Sequence, residues 1–136
     1  MIPCFHRHRW NDADDEELTM KNDALYKAIK THIAAQQPTI AELVKINDDF
    51  EAARDAVEYD AANFMLAKIG DGVRELIVET TAKDDADHQA KLDCGKRRLE
   101  CEAENGYGYI DAGRGEAIVA SAMKDGEWLL HERKAA

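Results

Sequence analysis

Apolar residues in the first third of the chain recur at the spacing of a helix. The pattern consists of Leu18, Leu25, Ile29 and Ile33, with His32 on the same side of the helix. Intervals of three, four and seven residues place these side chains on one side of a helix, which we expect to face the core. The helix is predicted from about Asp12 to Ala35, with Asn11 or Asp12 as its N-cap.

A second helical pattern begins directly after Pro38, which ends the first. Thr39 and Glu42 stand three residues apart, the spacing of a capping box. The apolar stripe that follows contains Ile46, Phe50, Ala53, Val57, Ala61 and Phe64. Because Gly70, Asp71 and Gly72 are typical of a helix end, one long helix is predicted over about 39–69.

A third helix is predicted over about 72–104, ending at Asn105 and Gly106. It carries two apolar stripes on opposite sides: Ala86, Ala90, Cys94 and Cys101 on one, and Leu92, Leu99 and Ala103 on the other. A helix of this kind needs packing partners on both sides. With the preceding helix it is expected to form a long antiparallel helical hairpin.

The last 30 or so residues combine strand-like segments with turn residues. The segments are Tyr107–Ala112, Glu116–Met123 and Glu127–Arg133, and the residues between them are 113–115 and 124–126. This pattern favours a small three-stranded antiparallel meander. Alanines at 117, 120 and 122 favour short helices instead, which would make the protein an all-α bundle.

These elements together predict an α+β fold that is predominantly α. The chain of 136 residues is expected to form a single domain with one core. Its parts would be an N-terminal arm at 1–11, a helical part at 12–105 and the meander at 106–136.

Charge and apolar content limit the classes of partner. The chain has 28 acidic and 18 basic residues and a formal net charge of -10, which disfavours direct binding to nucleic acid or to an anionic membrane. The N-terminal residues lack the apolar stretch of a signal peptide, and no apolar run approaches a membrane span. Three cysteines at irregular spacing are typical of reduced thiols, so a cytoplasmic location is expected.

The acidic residues are patterned as well as abundant. Asp48, Glu51, Asp55 and Glu58 follow one another at spacings of three, four and three, forming an acidic stripe on the second helix. A second acidic cluster lies in the first helix and contains Asp14, Asp15, Glu16 and Glu17. Both are interpreted as candidate partner-binding surfaces, with a solvated face or cation binding as alternatives. Pairing of the stripe with Lys96, Arg97 and Arg98 would instead make it architectural.

Two groups of possible ligands or thiols give weaker signals. Cys4, His6 and His8 occupy alternate positions that do not close a tetrahedral metal shell, and a fourth ligand is missing, so no metal or other cofactor is predicted. Cys94 and Cys101 would lie about 10.5 Å apart along a helix, beyond the reach of a disulfide. They are expected to pack in the core.

Catalytic chemistry finds little support in the sequence. The fragment around His88, with Lys91 three residues later, resembles the phospho-acceptor helix of histidine phosphotransfer domains, which are acidic helical bundles. It departs from that family at Leu92, where a glycine is expected. No phosphate-cradling glycine loop is present, and the sole serine, Ser121, has no histidine nearby in sequence.

The sequence therefore predicts a small intracellular binding protein rather than an enzyme. We expect it to dock on a basic surface of a partner protein, and an inhibitor that competes with nucleic acid, as phage-encoded antagonists do, is one concrete form. Two alternatives stay open. One is a self-assembling helical oligomer that packs through Leu92 and Leu99, and the other is a phosphotransfer-like carrier that uses His88.

Overall fold

The part of the chain that the structure describes folds as five helices. The computed structural model describes residues 12–57, 60–105 and 113–135. The helices are α1 (Asp12–Ala35), α2 (Ile40–Ala56), α3 (Asp60–Glu79), α4 (Asp85–Asn105) and α5 (Arg114–Ala135). None of these described residues belongs to a strand.

The predicted α+β class is therefore wrong, and the all-α alternative is the correct one. Residues 114–135 form the single helix α5 where two strands of the meander were predicted, whereas 106–112 lie outside the described residues. Lys124, Asp125 and Gly126 form no turn. Asp125 is buried, and Gly126 lies against the His88 ring of α4, so these two residues serve contacts between helices.

The predicted long hairpin, 39–69 paired with 72–104, is also wrong. The first of its helices ends at Ala56, since Val57 is extended with φ -97° and ψ 131°. The expected break at Gly70–Gly72 lies inside α3 instead. A Cβ on Gly72 would be 3.5 Å from Lys30 Cβ, so this glycine lies in the contact between α1 and α3. The next helix begins at Asp85 rather than near residue 72.

Local signals at the first two helices are confirmed. α1 has the predicted bounds. The backbone N–H of Glu42 donates to Thr39 Oγ1, and the backbone N–H of Thr39 donates to Glu42 Oε1, both at 3.1 Å, which completes the capping box. The predicted core face of α1 is only partly correct: Ile33 packs on the core, but Leu25 is 45% exposed.

Two antiparallel hairpins, α2–α3 and α4–α5, lie side by side. Contacts between the helices join α2 to α4 and α3 to α5, and α1 packs against α3. The central core cluster consists of Leu43, Val73, Leu76, Ile77, Cys94 and Ile118. α4 contacts α2 and α5. The predicted second stripe of Leu92, Leu99 and Ala103 is not a packed face, since Leu99 is 40% exposed and Ala103 is exposed.

The N-terminus of α5 is held by a carboxylate from α4. Glu102 Oε2 accepts the backbone N–H of Gly113 at 2.6 Å, and Glu102 Oε1 accepts that of Gly115 at 2.9 Å. The first N–H groups of a helix have no partners within it, and its positive end favours an anion. Glu102 thereby fixes the place where α5 begins against α4.

Replacing Glu102 with alanine is expected to lower the free energy of unfolding by about 1 kcal/mol, the usual cost of losing a helix cap. Urea denaturation monitored by circular dichroism measures this change. Glu104→Ala is the matched control, because Glu104 lies on the same helix and is exposed. Equal losses in the two variants would contradict a capping role for Glu102.

Candidate functional site

The acidic stripe of α2 meets basic side chains from neighbouring helices. Asp48 Oδ1 lies 3.3 Å from Arg97 Nη2 of α4. Glu51 Oε1 lies 3.0 Å from Arg98 Nη1 and 3.1 Å from Arg74 Nη1. Two of the four predicted stripe residues are thus paired within the bundle. From the sequence, such pairing indicates an architectural role.

Glu51 is the centre of a cluster of arginines. Arg74 of α3 and Arg98 of α4 are 1% and 4% exposed, and Arg54 Nη1 is 3.9 Å from the same Glu51 oxygen. Arg74 also donates to Asn47 Oδ1 at 2.9 Å. Guanidinium groups stay charged even when buried, so the paired Glu51 carboxylate offsets the cost of burying these arginines. The cluster joins α2, α3 and α4.

The other predicted partner-binding residues are placed differently. Asp55 is exposed and makes no ion pair within residues 12–57, 60–105 and 113–135. Glu58 lies outside the described residues, as do the side chains of Asp14, Asp15, Glu16 and Glu17. A docking role for these carboxylates stays a prediction.

A second buried ion pair joins α4 to α5 and was not predicted from the sequence. Lys91 Nζ lies 2.6 Å from Asp125 Oδ2 and donates to the backbone carbonyl of Thr80 at 2.8 Å. Asp125 Oδ2 also accepts the backbone N–H of Ala82 at 3.0 Å. Lys91 is fully buried and Asp125 nearly so. These bonds fix the segment between α3 and α4 against α5.

The outer face of the α4–α5 hairpin leaves apolar side chains in solvent. Leu99 is 40% exposed, Met123 62% and Leu130 53%. Met123 and Leu130 are seven residues apart, so they lie on one stripe of α5, and the exposed carboxylates of Glu116 and Glu127 share that stripe. We call these five residues the α4–α5 face.

Cys94 is buried, and Cys101 and His88 are partly buried. Burial raises the pKa of both thiols, and Cys94 is the more deeply buried of the two. Both thiols therefore favour the protonated form. Cys94 is a free thiol that packs in the core, as predicted. His88 is half-buried, and a Cβ on Gly126 would lie 2.9 Å from its Nε2. This packing against α5 restricts the ring at which a phosphotransfer carrier would react.

Across the three described ranges, no three His, Cys, Asp or Glu side chains come together as ligands for a metal ion. The predicted weak candidate, Cys4 with His6 and His8, lies outside those ranges. Among the described helices, none combines the length and apolar character needed to span a bilayer.

Comparisons with known proteins gave no counterpart for this chain. No protein-family model matches it, and neither does any curated protein or solved structure.

Proposed function

We propose that this protein is a binding protein without catalytic activity, whose α4–α5 face docks on a basic and partly apolar surface of a partner protein. The observation that carries the proposal is the exposure of Met123 and Leu130, 62% and 53%, on a helix that packs in the core through Ile118, Ala122 and Leu129. Large apolar side chains at the centre of an interface supply much of its binding energy.

The surrounding charge favours a basic partner. Glu116 and Glu127 border the apolar side chains, and neither carboxylate has an ion pair among the described residues. Complementary charge at the rim of an interface raises association rates and selects partners. A net charge of -10 also opposes packing of this face on a second copy of the chain. A protein whose basic groove normally holds nucleic acid meets these requirements, so competition with nucleic acid is the concrete form we propose.

The acidic stripe has a secondary place in this proposal. Asp48 and Glu51 are already paired with arginines, so binding a partner through them would require breaking internal ion pairs. Asp55 is free to add long-range attraction. The free, buried thiol of Cys94 supports the proposed cytoplasmic location, where thiols stay reduced.

Partner recovery from a lysate of the source cells tests the proposal. The wild-type chain is compared with Met123→Ser/Leu130→Ser, which removes the two most exposed apolar groups of the α4–α5 face. Each such side chain at the centre of an interface contributes about 1 kcal/mol or more, so we expect recovery of the partner to fall about tenfold or more. Raising the salt concentration should also weaken recovery, because rim charges are screened.

Leu25→Ser/Phe64→Ser is the matched control, because these side chains are 45% and 47% exposed but lie on α1 and α3. Equal recovery by both double variants would contradict docking through the α4–α5 face. Light scattering on each purified protein distinguishes the self-assembly alternative: a wild-type dimer that Met123→Ser/Leu130→Ser converts to a monomer would favour it. Displacement of the partner's nucleic acid by the wild-type chain tests the competitor form separately.

A further inference from the structure

A second surface of α5 forms an open groove with α3 and the segment that follows it. Its volume is about 710 Å³, and its lining includes the apolar side chains Val78, Ala117 and Ala120. Lys83, Lys124 and Trp128 also line it. On α5, residues 117, 120, 124 and 128 recur at spacings of three and four, on a different side from Met123 and Leu130. The groove is therefore separate from the α4–α5 face.

The groove concentrates positive charge in an acidic protein. Lys83 and Lys124 are exposed and make no ion pair within the described part of the chain, whereas Lys30, Lys45 and Lys91 are each held by a carboxylate. Asp125 is the acidic residue in the lining, and its carboxylate already accepts from Lys91 and from the backbone of Ala82. Among the described residues, neither ammonium group has a carboxylate at ion-pair distance.

Glu127 lies one helical turn after Lys124 on α5 and makes no ion pair among the described residues. Asp84 lies next to Lys83 in the chain. Its Oδ1 accepts the backbone N–H of Asp87 at 2.7 Å, so it caps the first turn of α4. Ser121 is also engaged, since its hydroxyl donates to the carbonyl of Val78 at 2.7 Å. The polar side chains of the lining that make no bond among the described residues are therefore Lys83, Lys124 and Thr81, and of these the two lysines carry charge.

Trp128 supplies a flat apolar surface beside these charges. Its side chain is 42% exposed and lines the groove together with the small side chains of Ala117 and Ala120. Aromatic rings prefer offset-stacked or edge-to-face contacts with one another, and small-molecule sites combine an apolar lining with a few polar groups. Trp128 and the small apolar side chains suit an aromatic ring, and the two lysines suit an acidic group attached to it.

We propose that this groove binds a small aromatic anion, with its ring against Trp128 and its acidic group between Lys83 and Lys124. The ligand class is a flat aromatic body that bears a carboxylate, sulfonate or phosphate group. The inference is independent of docking through the α4–α5 face, because it rests on another side of α5 and on different residues.

The test uses 8-anilinonaphthalene-1-sulfonate, an aromatic anion whose fluorescence rises in an apolar site. N-phenyl-1-naphthylamine, which has the same rings without the sulfonate, is titrated in parallel. Replacing both lysines, Lys83→Gln/Lys124→Gln, is expected to weaken binding of the sulfonate about tenfold or more, since two charge-assisted contacts are lost. Binding of the uncharged probe should stay within about twofold of wild type. Trp128→Leu should weaken both probes.

Lys27→Gln/Lys96→Gln is the matched control: both lysines are exposed and without an ion pair among the described residues, and the variant changes the net charge by the same amount. The proposal expects this variant to bind the sulfonate as wild type does. Circular dichroism verifies that every variant is folded. Equal weakening by the two lysine pairs, equal loss of both probes in Lys83→Gln/Lys124→Gln, or no saturable binding of the sulfonate to wild type would each overturn the proposal.

Discussion

Replacing Lys91 with methionine is expected to lower the free energy of unfolding by about 3–5 kcal/mol, the usual cost of removing one partner of a buried ion pair. The buried Asp125 carboxylate, 6% exposed in the wild type, would keep the backbone N–H of Ala82 as its one partner among the described residues. The variant also removes the bond to the Thr80 carbonyl. Urea denaturation at neutral pH gives the change directly.

Two further variants separate the ion pair from general effects on packing. Lys91→Met/Asp125→Asn should recover part of the loss, because a neutral amide is less costly to bury than an unpaired carboxylate. Lys124→Met, an exposed lysine on α5, should change stability by less than about 0.5 kcal/mol. A Lys91→Met protein no less stable than Lys124→Met would show that the buried pair does not hold α4 to α5.

Gly115→Ala is expected to lower the free energy of unfolding by about 1–3 kcal/mol through overpacking. A Cβ at this position would lie 2.8 Å from the backbone nitrogen of Leu99 and 3.1 Å from the carbonyl carbon of Arg98. Backbone atoms cannot rotate aside as a side chain can, so α4 and α5 would have to separate. Thermal and urea unfolding both measure the loss.

Gly72→Ala is the same chemical change, but it is not expected to lower the free energy of unfolding. Gly72 lies inside α3, and the nearest atom to an added Cβ is Lys30 Cβ at 3.5 Å, an ordinary contact. Because alanine favours helix over glycine, this variant should be unchanged or more stable by up to about 1 kcal/mol. Losses of the same size in both variants would contradict the close approach of α4 and α5 at Gly115.

The structure agrees with the sequence-based predictions where a few neighbouring residues determine the local conformation. The bounds of α1 and the capping box of Thr39 with Glu42 depend on the charges, caps and Pro38 close to them in the chain. Such signals act within a helical turn or two, so no distant partner is needed to interpret them.

The sequence pattern was misleading where glycines lie in contacts between helices. Gly72 and Gly126 were interpreted as turn residues, since glycine favours helix ends and hairpins in the absence of other information. In the fold, Gly72 lies near Lys30 of α1, and Gly126 lies near His88 of α4. Both contacts join residues about 40 positions apart, so the local pattern could not distinguish them from turns.

In the candidate site, too, local spacing was predictable from the sequence, whereas contacts between helices were not. The spacing of Asp48 and Glu51 places them on one side of a helix, but only the packing of α3 and α4 shows that arginines reach them. One sequence signal could have indicated the buried cations. Lys91, Cys94 and Arg98 follow one another at spacings of three and four, which puts two basic residues on a core-facing stripe that requires buried acidic partners.

Photo-crosslinking inside the source cells tests docking through the α4–α5 face most directly. A photoreactive p-benzoylphenylalanine replaces Met123 in one variant and Phe64, a comparably exposed residue of α3, in the other. We predict a crosslinked complex with a different, basic protein from position 123 and none from position 64. Crosslinking from both positions alike, or from position 123 only to a second copy of this chain, would contradict the proposed function.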